Sequence, residues 1–304
     1  MSHTVFIDGG EGTTGLEIRE RLAGRNEFSL VVLGDARRKN LAARREALNE
    51  ADFAILCLPD EAAREAVALI DPASRTRVID ASSAHRVADG WTYGFPELVG
   101  RDTVANAARV SNPGCYPTGF LALVAPLVRE GLIPADWGYT VNAVSGYSGG
   151  GKALIERFAR EGDIAFRSYA LDLAHKHLPE MKQHAGLVHD VIFAPAVVPA
   201  YRGMVVEVPL HHGAMPGDVS ADALRSALTA FHAGSRVVRV HGKEALPELL
   251  LRADQPPHDG LDLHVRSNEG GHHVRLIAVL DNLGKGASGA AVQSLNLMAG
   301  LDEA

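Results

Sequence analysis

Cysteine is scarce: the 304 residues contain two. Two thiols cannot form a disulfide framework, and they suit a reducing compartment. Long apolar stretches are also missing. No window approaches 18 uninterrupted apolar residues, so no transmembrane helix is expected. The opening Met-Ser-His-Thr runs directly into a strand-like segment, without a charged-then-apolar leader, and the expected location is the cytoplasm. Positive charge is outnumbered, with 30 Lys and Arg against 37 Asp and Glu and a net charge of −7. That balance favours solubility and gives no reason to expect a nucleic-acid or anionic-membrane partner. What remains is an ordinary globular composition, 46% hydrophobic and 22% charged, long enough for one large domain or two ordinary ones. Internal repeats, low-complexity tracts and flexible linkers are not found.

Short apolar runs at residues 5–8, 28–33, 53–58, 77–80 and 108–110 alternate with segments 16–23, 40–49 and 61–70, whose apolar residues recur at helical spacing. Strands so uniformly apolar are covered on both faces, as in parallel sheets. Their alternation with helices implies right-handed βαβ units. After about Cys115 the texture changes. Strand-like runs at 139–144, 191–198, 204–210, 235–240, 261–265 and 274–280 follow with few helices between them. Residues 287–298, rich in small side chains, read as a final helix that packs back on the first domain. The expected class is α/β: a Rossmann-type doubly wound parallel sheet, then an α+β domain with a mostly antiparallel sheet.

Gly10-Glu11-Gly12-Thr13-Thr14-Gly15, with Gly9 ahead of it, follows the first strand and opens a helix, which is the context that G-x-G-x-x-G requires. Glycines there let the backbone approach a pyrophosphate, and free N–H groups at the helix start face its charge. A plain strand–helix turn is the alternative. At the end of the second strand, Asp35 precedes Ala36-Arg37-Arg38-Lys39. An acid there suits a ribose 2′-hydroxyl and cations suit a 2′-phosphate, so the run favours NADP(H). A solvated helix start with bystander cations is the other reading.

Cys115 lies in Val110-Ser-Asn-Pro-Gly-Cys-Tyr-Pro-Thr-Gly119, ahead of the apolar run 120–128, which reads as a helix. Pro113 and Pro117 stiffen the turn and Gly114 leaves room for another molecule. A thiol so placed reads as a nucleophile, whereas Cys57, inside Ile55-Leu56-Cys57-Leu58, reads as core. A nucleophilic thiol beside a nicotinamide suggests reduction of an activated acyl group through a thioester. The proton-exchange candidates are His175 and His177, in His175-Lys176-His177-Leu178-Pro179-Glu180, just before a proline-started helix. Surface histidines are the bland alternative. No metal site is expected, because H-x-H lacks a matching cysteine or carboxylate set. Gly146-Tyr147-Ser148-Gly149-Gly150-Gly151-Lys152 fits both a hydrolase elbow and a phosphate loop incompletely. It reads as a glycine-rich loop whose amides and Lys152 are available to an anion, or as a structural turn.

Taken together, Gly9-x-x-Gly12-Thr13-Thr14-Gly15, Val78-Ile-Asp-Ala-Ser-Ser-Ala-His-Arg86, Tyr93-Gly-Phe-Pro-Glu-Leu98, Ser111-Asn-Pro-Gly-Cys-Tyr-Pro-Thr118, the Gly146–Lys152 loop, His175 to Met181 and Asn282-Leu-Gly-Lys-Gly-Ala-Ser-Gly289 resemble the N-acetyl-γ-glutamyl-phosphate reductases in their shorter form. That group is similar in architecture to the aspartate-semialdehyde and glyceraldehyde-phosphate dehydrogenases. The resemblance implies an NADP(H)-binding domain at 1–114, completed by 283–304, and a catalytic and oligomerisation domain at 115–282. It implies reduction of an acyl phosphate by NADPH in arginine biosynthesis, with Cys115 as nucleophile, His177 as acid/base and His175 orienting substrate. Gly9, Gly12, Thr13, Thr14, Gly15, Arg37, Arg38, Ser82 and Asn282 fall at the cofactor. Arg86, Lys152 and Arg202 are the cations placed to meet a polyanionic substrate, although Ala84-His85 stands where the longer form has an acidic–aromatic pair. A homodimer or homotetramer through the second domain's sheet is implied. The competing readings are a sister reductase acting on an aspartyl or acetyl-aminoadipyl phosphate, a serine hydrolase using Ser148, and a non-catalytic NADP-binding regulator.

Overall fold

The computed structural model describes residues 2–215 and 219–303. The chain divides into two units, one comprising residues 1–113 and 287–304 and the other 114–286. In the first, six strands form one sheet: β1 His3–Asp8, β2 Phe28–Val31, β3 Phe53–Leu56, β4 Arg77–Asp80, β5 Thr92–Tyr93 and β6 Arg109–Ser111. Their order is β2-β1-β3-β4-β6-β5, and every pairing is parallel. Helices α1 Thr13–Leu22, α2 Leu41–Glu50, α3 Asp60–Ala68, α4 Pro96–Val99 and α5 Arg101–Ala105 connect them.

Alternation along β1 assigns each side chain to a layer. Val5 and Ile7 join Ile18, Leu22, Ile55, Ile79 and Leu295 on one face. Phe6 joins Leu48, Ala54, Leu56 and Val78 on the other. Both faces are thus covered, which is why these strands read as unbroken apolar runs. The strand order reverses beside β1, and the glycine turn leaves that strand's carboxyl end, the usual ligand position of such sheets. Strands expected at 28–33 and 53–58 stop at Val31 and Leu56, and β5 was not expected. The C-terminal helix, Gly289–Met298, packs on α1 and α5, and Arg77 donates to the Met298 carbonyl at 2.5 Å.

The second unit holds α6 Cys115–Arg129, β7 Thr140–Gly146, α7 Gly151–Arg160, β8 Arg167–Ser168, α8 Leu178–Ala185, β9 Ile192–Val198, β10 Met204–Leu210, α9 Ala221–Phe231, β11 Val238–Val240, β12 Leu261–Ser267 and β13 Val274–Leu280. The sheet runs β11-β12-β13-β10-β7-β9-β8, antiparallel except at β11–β12 and β7–β9. Helices are more numerous than the sequence reading had it. The segment 221–231, for example, buries Leu224 and Leu228 one turn apart and is capped by Ser220. Helix α6 also begins earlier than the apolar run 120–128, at Cys115 itself, because Pro117 is tolerated in a first turn. Gly119 lets α6 lie on the sheet, since a β-carbon there would stand 2.9 Å from Val206 Cγ2.

The helices cover one face of this sheet. On the other, Val205 and Glu207 of β10 are half-buried, and Asn142, Ile192 and Ala194 are exposed. The same face carries His264, whose ring stacks on His241 with centroids 4.3 Å apart. Burial, His241 and Arg266 push the His264 pKa from 6.5 down to about 4, with Asp262 opposing. The unfolded chain therefore takes up this proton near pH 6.5 and the native chain only near pH 4, so acidification across that window favours unfolding. His264→Asn is expected to flatten the fall of thermal midpoint between those pH values. An unchanged profile would assign the acid sensitivity to other groups.

Candidate active site

In the second unit, Cys115 is the first residue of the fifteen-residue α6. Its N-cap is Gly114, in extended conformation, with no side-chain cap and no acid in the first turn. The positive end of the helix dipole therefore lies at the thiol. Gly114 is itself held: its N–H donates to Glu180 Oε2 at 3.1 Å, and Thr118 Oγ donates to its carbonyl at 2.9 Å. Gly286 packs directly over Cys115. A β-carbon at that position would lie 2.9 Å from Cys115 Cβ and 3.0 Å from the Asp281 carbonyl.

Glu180, 1% exposed, belongs to α8, and its second oxygen lies 3.9 Å from Nε2 of the buried His177, the residue that caps that helix. The His177 N–H donates to His175 Nδ1 at 3.1 Å. That bond occupies the Nδ1 lone pair, so neutral His175 carries its proton on Nε2. The two imidazoles are 4.6 Å apart, and the ring of Tyr116, next to the thiol, lies 5.9 Å from His177 and 6.1 Å from His175. Tyr169 Oη donates to Tyr116 Oη at 3.3 Å, and Tyr116 donates to the Ala196 carbonyl. Burial, Tyr169 and the Cys115 charge hold Tyr116 well above its ordinary pKa, and burial chiefly lifts Tyr169 to about 12. Both phenols stay protonated beside the thiol.

Asn282, Arg202 and Ser148 occupy a neighbouring network. Asn282 Nδ2 donates to Ser148 Oγ at 2.9 Å, and its Oδ1 accepts from the Gly203 N–H at 2.9 Å. Its amide thus joins the glycine-rich loop to the β9–β10 turn. Ser148 is 1% exposed, and among the described residues no histidine bonds its hydroxyl, so the hydrolase geometry is not formed. Arg202 is buried and donates to Asp281 Oδ2 at 2.7 Å. Lys152, second residue of α7, is exposed.

The first unit holds the glycine turn. Gly9 has φ +83°, and at Gly15 a β-carbon would stand 2.6 Å from the Gly9 carbonyl, so neither position accepts a side chain. Helix α1, which starts at Thr13 and Thr14, has Gly12 as N-cap, no side-chain cap and no acid in its first turn. This cradle fits a pyrophosphate. Beside it is a cavity of about 330 Å³ lined by Gly9, Gly10, Val32, Leu58, Arg38 and Lys39, among others. Arg38 reaches it while paired with Asp35 at 2.8 Å. Arg37 does not line it and pairs instead with Glu46 at 2.9 Å. Sequence reading passed over Lys39 as a separate candidate and missed Asp8 and Arg44, which also line the cavity.

Ser82 and Arg86 are buried in the loop after β4. The Asp80 carboxylate accepts from Ser82 N, Ser82 Oγ and His85 Nδ1, at 2.9, 2.7 and 2.6 Å. His85 then stacks on Trp91, centroids 4.2 Å apart. Arg86 Nε donates to the Asn112 carbonyl at 3.0 Å. Asn112, three residues before Cys115, also bonds Asp80 through its N–H and Ala287 through its side chain. Cys57, at the end of β3, is lifted to about 12 by burial and by Asp80 and Asp8, so it stays an inert thiol.

Residues 4–107 match the family model described as semialdehyde dehydrogenase, NAD binding domain, and residues 115–282 match semialdehyde dehydrogenase, dimerisation domain. N-acetyl-gamma-glutamyl-phosphate reductase 2 of Pseudomonas putida is 50% identical, over 97% of this chain and 96% of its own. The N-acetyl-gamma-glutamyl-phosphate reductase of Burkholderia ambifaria is also 50% identical, over 99% and 97%. The crystal structure of aspartate semialdehyde dehydrogenase II from Vibrio cholerae shares the fold, with a TM-score of 0.70 at 19% identity over 98% of each chain.

Gly286→Ala is expected to push Cys115 off its position and lower both kcat and the rate of thiol alkylation at least tenfold, with circular dichroism unchanged. A variant with wild-type alkylation kinetics would show that the site tolerates the methyl group.

Proposed function

This chain belongs to the N-acetyl-gamma-glutamyl-phosphate reductase family, and from that premise we infer that it reduces N-acetyl-γ-glutamyl phosphate to the 5-semialdehyde and phosphate with NADPH, in arginine biosynthesis. The observation that carries the mechanism is Cys115 at the uncapped start of α6, with Glu180 bonding the residue before it and approaching His177.

The Cys115 thiolate attacks the acyl carbon, a C–S bond forms, and the C–O bond to phosphate breaks as phosphate leaves. His177 takes the thiol proton before attack, lends it to the alkoxide that reduction of the thioester leaves, recovers it as the carbonyl re-forms, and returns it to the departing Cys115 thiolate. Glu180 favours the imidazolium formed between those steps. The nicotinamide, when bound, supplies the hydride that reduces the thioester carbon. Collapse of the resulting hemithioacetal breaks the C–S bond and frees Cys115. Gly9, Gly12, Thr13, Thr14 and Gly15 would hold the pyrophosphate, and Arg38 with Lys39 would meet a 2′-phosphate. Ser82 supports the loop after β4 through its bonds to Asp80, and Asn282 supports the glycine-rich loop of the second unit through Ser148. Arg86 and Arg202 act through the Asn112 carbonyl and Asp281, and the exposed Lys152 is available to a substrate anion.

The open face of the second unit's sheet is read as the contact for a second copy, in a domain whose family is described as a dimerisation domain. A reducing cytoplasm suits the two free thiols.

Cys115→Ser is expected to abolish phosphate- and NADP-dependent oxidation of N-acetylglutamate semialdehyde while NADPH still binds. His177→Asn should lower kcat by ~10²–10⁴. Assay of the aspartate and N-acetyl-aminoadipate semialdehydes beside it tests the acyl chain; faster turnover of either would move the enzyme to that substrate. Val205→Lys, on the open face, should shift sedimentation toward monomer. An unchanged mass would place the contact elsewhere.

A further inference from the structure

In the second unit, β11 and β12 are parallel neighbours, and the connection between such strands is usually a helix. Here residues 241–260 cross from one to the other with neither helix nor strand. An irregular connection of that length inside a compact unit is uncommon and usually functional. Its second half is seated on two glycines. Leu251 and Gln255 cover Gly203, where a β-carbon would fall on Leu251 Cδ1 and 3.1 Å from Gln255 Oε1. Farther along, a β-carbon on Gly284 would fall on the His258 carbonyl oxygen, and the His258 N–H donates to Asp281 Oδ2 at 3.4 Å.

Gly203 belongs to the β9–β10 turn and Gly284 to the turn after β13, and those turns are joined by Arg202 on Asp281 and by the Gly203 amide on Asn282. The second turn continues to Gly286, whose N–H donates to the Asp281 carbonyl and whose α-carbon packs on Cys115. A shift at Gly284 is thus passed two residues on, to the contact with the thiol. Within the connection, the side-chain nitrogens Gln255 Nε2 and His258 Nε2 lie 2.7 Å apart, and Pro256 and Pro257 between them restrict the backbone. That bond fixes the half-buried His258 ring, and with it the backbone that meets Asp281 and Gly284. We infer that Gln255 is a positioning residue for Cys115, acting through His258 and the 281–286 turn. The inference rests on the reading of Cys115 as the reactive thiol and is independent of the acyl chain accepted.

The test compares the wild type with Gln255→Leu and Gln255→Glu. Leucine fills the space without the bond, whereas a glutamate oxygen can accept from the His258 Nε2–H. Three quantities are measured: deuterium exchange of the 281–286 amides, the rate of Cys115 alkylation by iodoacetamide read by peptide mass, and kcat and KM with N-acetylglutamate semialdehyde, phosphate and NADP. Gln255→Leu is expected to speed the exchange and to slow alkylation and kcat about fivefold, with the KM for NADP and the thermal midpoint unchanged. Gln255→Glu is expected to recover most of each loss, which a residue that merely fills space would not show. Wild-type exchange and alkylation in Gln255→Leu, or equal losses in the two variants, overturns the proposal and leaves the reductase reading standing. Slowed alkylation in Gln255→Leu, recovered in Gln255→Glu, from a wild type that oxidises no semialdehyde removes the reductase reading and leaves the positioning role.

Discussion

The bond from the Gly114 amide to the Glu180 carboxylate is the constraint on which the arrangement around Cys115 depends. It ties the start of α6, where the thiol sits, to α8, which starts beside His177. Without an acceptor in that place the Gly114 amide would be a buried donor lacking a partner, at a cost of about 1–3 kcal/mol. With it, the helix start is held and a negative charge stands close to the histidine. One side chain thus holds the helix start at the thiol and stands beside His177.

Buried carboxylates perform the same kind of work elsewhere. Asp80 gathers three donors and folds the 81–86 loop, which delivers Arg86 to the Asn112 carbonyl. Asp281 binds Arg202 and the Leu283 amide through its side chain and the Gly286 amide through its carbonyl, shaping the turn that lies over Cys115. Each is almost wholly enclosed, and each is satisfied by several donors, as burial of a charge requires. The glycines complement them. Gly15, Gly119 and Gly286 are places where backbone or helix approaches too closely for a β-carbon.

Much of this was legible in the residue order. Unbroken apolar strands alternating with helices announced a parallel sheet covered on both sides, and the two clusters flanking β1 are its physical form. The glycine turn declared itself by following a strand and opening a helix. Helix α9 was less visible, because its two buried leucines are separated by polar and small residues. The start of α6 was misjudged for a related reason: prolines and glycines usually mark loops, yet Pro117 fits a first turn and Gly119 fits tight packing on the sheet. Glu180 stood inside the histidine motif, but spacing does not say which amide a carboxylate will meet 66 residues away.

By itself, then, the sequence determined the fold class and the family, because periodicity, turn chemistry and short motifs are local properties of the chain. It also separated the two cysteines, since one lies in an apolar strand run and the other on a proline–glycine turn. Only the tertiary structure decided which charges pair. Arg37 is drawn to Glu46 while Arg38 and Lys39 line the cavity, Arg202 is buried on Asp281, and Arg44 is locked to Asp8. The reason is physical: an ion pair or a buried hydrogen bond depends on distances of a few ångströms between residues far apart in the chain, and those distances exist only once the core has packed.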